Sequence, residues 1–428
     1  YVAQRAIENI ALLDYPKDKL QIQILDDSTD ETSEIIQNNL LKYEEKGISI
    51  HHVQREVREG FKAGALDYGM DSCKGEFIAI FDADFIPESD FLMKLIPYFA
   101  DENIGAVQTR WTHINEKFSF LTRAQAIMLN THFAVEHLGR ISSGAYINFN
   151  GTAGVWRKEA IKDAGGWEAD TLTEDLDLSY RAQSKGWRFK YLFDVESPAE
   201  LPVSVDAFKT QQYRWSKGAA ECVKKNSKLL WKSSSSLWAK LAGTVHLLNS
   251  SLYIVVFLLV ILSPLVFWMT QNNMMSIGNV EFINYSNLFI TFSIPVMFLV
   301  GHLMASENKW RELVWFPINF YLFLCISISI SFYMMIGVIE GYFGIKSDFV
   351  RTPKFNLKLS SFDSLIKQGY AFKSEKNITV FEGIILLYGL LVLGMGAFHG
   401  NLLIANFGLM ISIGFSLKVF FPTKIFRF

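Results

Sequence analysis

The sequence predicts an α/β domain with a mainly parallel sheet, followed by an α-helical transmembrane domain. Three observations predict it. Up to Lys232, strand-like and helix-like patches alternate; two of the strand-like patches end in carboxylates; beyond Leu237 the chain carries long apolar runs almost free of charge. The boundary divides the chain into residues 1–232 and 233–428. A formal net charge of -2, spread over a chain that is 50% hydrophobic, gives no basis for binding nucleic acid.

In the first part, "QIQILDDS", Gln21 to Ser28, alternates and then delivers Asp26 and Asp27 to a loop. Thr29 to Lys46 reads as a helix capped by Asp30 or Thr32. "ISIHHV" is a second strand and "KAGALDYGMDSC" a helix. "EFIAIFDADF", Glu76 to Phe85, is a buried-type strand that also ends in carboxylates, "IGAVQTRW" is a further strand, and Phe118 to His137 is a long helix. This order suits a parallel sheet covered by helices, whose ligands bind beyond the carboxyl ends of the strands. Both acidic clusters fall there.

In the second part the apolar runs are Leu252 to Met269, Leu288 to Met304, Val314 to Tyr342, Val380 to Leu393 and Leu402 to Phe420. The clear ones approach the roughly 20 residues that cross a bilayer core. Buried core helices are the alternative, and five such runs in one tail weigh against it. Thr270 to Asn287 has no Lys or Arg, whereas Lys346 to Lys376 has seven, so the positive-inside rule places the latter in the cytoplasm. With a cytoplasmic first domain, an even number of crossings must precede Lys346. Val314 to Tyr342 is therefore expected to hold two tight crossings or a re-entrant hairpin, for six crossings rather than five. The expectation is a multi-pass protein of the plasma or inner membrane. Cys73, Cys222 and Cys325 are too scattered for a disulfide framework or zinc site, and His132, His137, His246 and His302 lack ligand spacing. The chain opens on Tyr1 with no secretory signal, and the true N-terminus is expected to lie before it.

Asp82 and Asp84 flank one small residue, so in extended chain their side chains point the same way. Two converging carboxylates suit a hard divalent cation holding phosphate oxygens, while an isolated D-x-D is as well explained by a strand end facing water. In "TLTEDLDLSYR", Thr173 is a helix cap with Glu174 and Asp175 in the first turn. Acids there answer the helix dipole, and one is equally placed to act as a general base. "TQQYRWSKG" gathers Gln211, Gln212, Tyr213, Arg214, Trp215 and Lys217 just before the apolar runs. Aromatic faces with amide and guanidinium donors suit a sugar ring, Arg214 suits phosphate, and the whole suits an interfacial anchor helix.

Taken in order, "LDDSTD", "FDAD", "TED" and "QQYRW" resemble the D, D, D, Q-x-x-R-W series of membrane-bound family 2 glycosyltransferases. The resemblance is closest to the cellulose synthase-like mannan and glucan synthase branch, through "NFNGTAGVWRKEAI", "DAGGWEADTLTEDLDLSYRAQ", "GWRFKYL" and "ELPVSVDAFKTQQYRWSKG". It implies a GT-A type nucleotide-sugar-binding domain. Asp26 and Asp27 match the base and ribose contact, Lys62 a lysine near the donor diphosphate, and Asp82 and Asp84 the metal and diphosphate site, with Mg or Mn as cofactor. Asp175 matches the catalytic base. Phe149, Asn150, Gly151, Thr152, Glu174, Gln211, Gln212 and Trp215 match the acceptor side, with Arg214 by the diphosphate. "FVRTPK", with Phe349, Arg351, Thr352 and Lys354, resembles a cytoplasmic gating loop, set here at residues 345–378. Family members start this domain with a strand reading roughly P-x-x-N-E, and the chain starts beyond it.

The resemblance implies an inverting transferase that moves a sugar from a UDP-glucose or GDP-mannose type donor onto a growing β-linked glycan. Processive addition would be coupled to passage through the bilayer, with accessory export subunits as further partners. A single-addition transferase onto a lipid acceptor is the competing enzyme class, and a transporter or catalytically dead scaffold the competing non-enzyme.

Overall fold

The computed structural model describes residues 2–272, 274, 281–347, 350, 352, 354 and 376–420. The expected alternation is present: α1 (Ala3–Ala11), β1 (Gln21–Asp26), α2 (Thr32–Glu44), β2 (Ser49–Gln54), α3 (Phe61–Ser72), β3 (Phe77–Ile80) and α4 (Phe91–Leu95). There follow β4 (Ile104–His113), α5 (Phe120–Thr131), α6 (Leu138–Ser142), β5 (Gly154–Arg157), α7 (Lys158–Asp163), α8 (Glu174–Ser184), β6 (Arg188–Ala199) and α9 (Val205–Lys232). A π-helical stretch, His132–His137, joins α5 to α6, so the long helix expected from Phe118 starts at Phe120 and runs on to Ser142. Ser119 starts it with a capping box: its hydroxyl accepts from the Thr122 amide, and the Thr122 hydroxyl accepts from the Ser119 amide.

Strands β1 and β2 pair in parallel, as do β4 and β6. The sheet is nevertheless mixed, because β5 runs antiparallel between β3 and β4 in the order β3-β5-β4-β6. No periodicity in "AGVWRK" announces that direction, since partner choice depends on segments some 50 to 80 residues away in the chain. The arrangement leaves β1 and β3 unpaired on their facing sides among the described residues, and both line one large cavity. Behind the sheet, Ala106, Phe149, Trp156, Leu178 and Ala182 form a continuous core that fixes α8 against β4 and β5. Helix α9 crosses the start of α8 at close range: a Cβ on Gly218 would lie 2.6 Å from the Thr173 side chain. Thus the helix carrying Arg214 and Trp215 is pressed onto the helix carrying Asp175.

Beyond α9 come α10 (Leu237–Leu248), α11 (Leu252–Gln271), α12 (Glu281–Ala305), α13 (Lys309–Phe343), α14 (Lys376–Phe398) and α15 (Leu402–Phe420). Among the described residues, four stretches are long and apolar enough to cross a membrane: Leu237–Met269, Lys309–Phe343, Val380–Phe398 and Leu402–Phe420. The two crossings or hairpin expected within Val314 to Tyr342 are absent. That stretch lies inside one unbroken 35-residue helix, about 52 Å long at the usual rise. Its one proline, Pro317, falls near the start, and no glycine or polar turn interrupts it before Gly337. Helix α13 also packs on the α/β domain: Phe316 and Phe320 lie against Ile127 of α5, and Gly341 meets Lys217 of α9.

Candidate active site

The strand ends and helix starts named above converge on a cavity of about 1330 Å3. Asp26, Asp27, Lys62, Asp82, Asp84, Asn150, Gly151, Glu174, Asp175, Gln211, Arg214, Trp215, Thr352 and Lys354 all line it. Phe349 and Arg351 lie outside the described residues.

Three segments interlock at its centre. The Lys62 ammonium donates to Asp82 Oδ1 at 2.6 Å and to the Gly151 carbonyl at 2.9 Å. The Asp82 amide donates to Thr152 Oγ1 at 2.8 Å, which fastens the D-x-D turn to the "FNGT" segment. That segment is in turn bolted to α8, where the Phe149 amide donates to Ser179 Oγ at 2.8 Å and Gln183 bonds both backbone groups of Ile147. Gly151 has φ +77°, and a Cβ there would lie 2.9 Å from Asp175 Oδ2, so the backbone approaches the carboxylate as only glycine permits.

Phe149 itself is 1% exposed, in the core against Trp156, so it holds the segment and cannot touch an acceptor. Gln212 is buried as well and is not part of the cavity wall. Thr152 is fully buried and off the cavity wall too, and all three depart from the acceptor-side expectation. The reason for Gln212 is helical phase: positions 211, 214 and 215 share one face of α9, and 212 falls beside it.

Electrostatics distinguish the acids. Burial, then the neighbouring Glu174 charge, pushes the Asp175 carboxyl up to about 7, against a smaller opposing pull from Lys62. Glu174 is also raised, by burial first. Burial works against the Lys62 charge, but Asp82, Glu174 and Asp175 outweigh it and hold the ammonium above its usual range. Burial lowers the Arg214 guanidinium despite the same three carboxylates. The outcome is a raised carboxyl facing two cations, the arrangement of a general base beside an anion site.

Asp26 is different. Burial opposes its charge, yet hydrogen bonds from Ser28, Ser33 and His52 overcome that and bring it down to about 2. Its Oδ2 receives Ser33 Oγ at 2.5 Å and His52 Nε2 at 2.9 Å, while Asp27 is gripped at both oxygens by Arg55, at 3.0 and 2.5 Å. Both acids therefore face the cavity with their carboxylates already engaged. Arg55, His52 and Ser33 were not singled out in the sequence; an arginine just after a strand whose neighbour ends in acids is the signal that could have found Arg55.

The D-x-D acids are each matched by a lysine. Lys354 donates to Asp84 Oδ2 at 2.6 Å and to the Glu200 carbonyl at 2.7 Å. Arg214 Nη1 donates to the Val350 carbonyl at 2.8 Å, so Val350 stands beside the cavity that Thr352 and Lys354 line. Asp82 and Asp84 offer hard oxygen donors that line the cavity, and each lysine engages one oxygen, Asp82 Oδ1 and Asp84 Oδ2, a donor set of the kind that suits a divalent cation. A tighter acidic trio exists elsewhere, Glu168, Asp170 and Asp177. Lys225 fills it, with its ammonium 2.6, 2.5 and 3.0 Å from the three carboxylates, so the trio is a structural clamp between α8 and α9.

Comparison with known proteins agrees with this geometry. Residues 2–218 match the glycosyltransferase like family 2. The chain is 43% identical over 248 residues to "Probable glucomannan 4-beta-mannosyltransferase 4" of Oryza sativa subsp. japonica, covering 56% of this chain and 44% of that protein. It is 40% identical over 257 residues to "Glucomannan 4-beta-mannosyltransferase 9" of Arabidopsis thaliana, covering 58% and 47%. The matched regions span under half the length of these relatives. Among solved structures, "Mannosyltransferase PcManGT from Pyrobaculum calidifontis in complex with GDP-Man and Mn2+" is similar over 81% of this chain and 84% of its own, at 16% identity and a TM-score of 0.48. That likeness is too distant to bear on substrate or mechanism. The α/β half is a mixed sheet with helices, and the match from α1 through the Arg214–Trp215 turn makes the chain a member of glycosyltransferase like family 2.

Proposed function

We propose that this chain transfers a hexose from a nucleotide sugar to a growing β-linked polysaccharide, with inversion at the anomeric carbon. The observation that carries the proposal is Asp175: a carboxyl raised to about 7 in a cavity that also presents Lys62 and Arg214. In its ionised form Asp175 takes the proton of an acceptor hydroxyl as that oxygen bonds to the anomeric carbon. The bond from that carbon to the diphosphate oxygen breaks on the opposite face, and one displacement inverts the configuration. Lys62 and Arg214 offset the charge that builds on the departing diphosphate. Asp82 and Asp84 would hold a divalent cation, Mg or Mn, which adds to that stabilisation when bound. Asp26 and Asp27, oriented by His52 and Arg55, border the nucleoside end, and Trp215 and Gln211 the acceptor sugar.

The relatives' shared name favours mannose as the sugar, from a GDP-mannose type donor, onto a 4-linked β-glycan. Residues 1–232 form the catalytic domain on the cytoplasmic face and residues 233–428 the multi-pass membrane part. Of the segment 345–378, Val350 and Lys354 meet the catalytic domain through the Arg214 to Val350 and Lys354 to Asp84 contacts, which supports a place for these residues on the catalytic side. Polymer growth is coupled to passage across the bilayer.

The test is an assay of membranes carrying the protein with a panel of labelled nucleotide sugars and Mg or Mn, followed by linkage analysis. Labelled polysaccharide with β-linkages is expected. Label found only in a monosaccharide-lipid would replace polymer synthesis by single addition, and no transfer from any donor would overturn the proposal.

A further inference from the structure

Helix α9 has two working faces around the Arg214–Trp215 turn. Gln211, Arg214 and Trp215 look into the cavity, while Tyr213 and Lys217, four residues apart, share the opposite side and meet α13. Lys217 is 0% exposed. An ammonium so placed is tolerated only when paired, and its partners are Glu340 Oε2 at 2.9 Å and Ser347 Oγ at 2.9 Å. The Tyr213 hydroxyl donates to the same Glu340 oxygen.

The two helices touch almost backbone to backbone here. A Cβ on Gly337 would lie 3.1 Å from Tyr213 Cδ2, and one on Gly341 would lie 2.6 Å from the Lys217 carbonyl. Glycines one turn apart therefore let α13 close on α9, and Glu340 sits between them in sequence. With no slack in the contact, moving the Glu340 carboxylate moves Tyr213 and Lys217, and with them the turn that carries Arg214 and Trp215.

We propose that Glu340, on the last turn of the apolar helix α13, is a positioning residue for transfer, setting Arg214 and Trp215 through Tyr213 and Lys217. The proposal rests on the transferase reading above and extends it by giving α13 a part in the reaction. Glu340 touches neither donor nor acceptor. Its role is to fix the angle at which α9 presents its cavity face.

Two variants test this in membranes carrying the protein. Glu340→Asp keeps the charge, so Lys217 stays paired, but draws the carboxylate back by one methylene. A misplacement of about 1 Å of a positioned group can cost roughly a hundredfold in rate, so kcat per nucleotide-binding site should fall at least about tenfold. The double variant Lys217→Met with Glu340→Leu replaces the buried pair by apolar groups of similar size, which often leaves stability unchanged. It should keep the wild-type melting temperature and still show the rate defect. If Glu340→Asp turns over at the wild-type rate per binding site, or if the double variant regains rate together with stability, Glu340 is only packing and the proposal is wrong. Failure of the transferase reading looks different, since the unaltered protein would then transfer no sugar from any nucleotide donor.

Discussion

Raising the pH from 6 to 8 should accelerate sugar transfer, and the structure sets the size of the effect. On the proposed mechanism the ionised form of Asp175 is the active one, and burial with the Glu174 charge beside it raises its carboxyl to about 7. A base of that strength is roughly a tenth ionised at pH 6, half at pH 7 and nine-tenths at pH 8, so kcat should rise about tenfold across the interval. An aspartate at its ordinary value would already be fully ionised at pH 6 and would give a flat line. The sign of each neighbour can be checked separately. Glu174→Gln removes the second cause of the rise and should move the midpoint to lower pH. Asp175→Asn should lower kcat by about 10²–10⁴-fold and abolish the slope. Initial rates with a labelled donor, in buffers of constant ionic strength, measure all three. A flat wild-type profile between pH 6 and 8, or an unchanged midpoint in Glu174→Gln, would refute the assignment.

Further outcomes follow from the same geometry. Gly151→Ala puts a Cβ 2.9 Å from Asp175 Oδ2 and forces an L-residue to φ +77°, at a cost of about 1–2 kcal/mol, so kcat should drop while the donor KM changes little. Lys62→Met removes an ammonium bonded to Asp82 and Gly151, a charged hydrogen bond of about 1.5–3 kcal/mol. The donor KM should rise, and the pH midpoint should move up, because Lys62 holds Asp175 down. Asp177→Ala strands Arg181 and Lys225 without their shared carboxylate and should destabilise the fold by about 3–5 kcal/mol, read as a lower melting temperature. Since Lys225 fills the trio around Asp177, Asp170→Asn should leave Mn binding intact, whereas Asp84→Asn should weaken it.

Much of the site was legible because its parts end regular elements. Asp26 and Asp82 stand at or just past strand ends, Glu174 and Asp175 in a first helical turn, and Gln211, Arg214 and Trp215 on one helical face. Such positions follow from local periodicity. What escaped depends on contacts distant in sequence: the antiparallel insertion of β5, the pairing of Lys354 with Asp84 across 270 positions, and the saturation of Asp26 by His52 and Ser33. The burial of Phe149 belongs to the same class, since a motif shows that a residue matters without showing which way its side chain turns. Hydropathy failed differently at Val314 to Tyr342. A run of nearly uniform apolarity is consistent with one long helix or two short ones, and the choice lies in packing against α5 and α9.

The central claim is that Asp175, in this cavity, activates a sugar hydroxyl for transfer from a nucleotide donor to a polysaccharide. Its most direct measurement compares labelled product from membranes carrying the unaltered protein with that from membranes carrying Asp175→Asn, using GDP-mannose and UDP-glucose in turn. Labelled β-linked polymer from the first and none from the second is expected. Equal polymer from both, or no polymer from either donor with the unaltered protein, would contradict it.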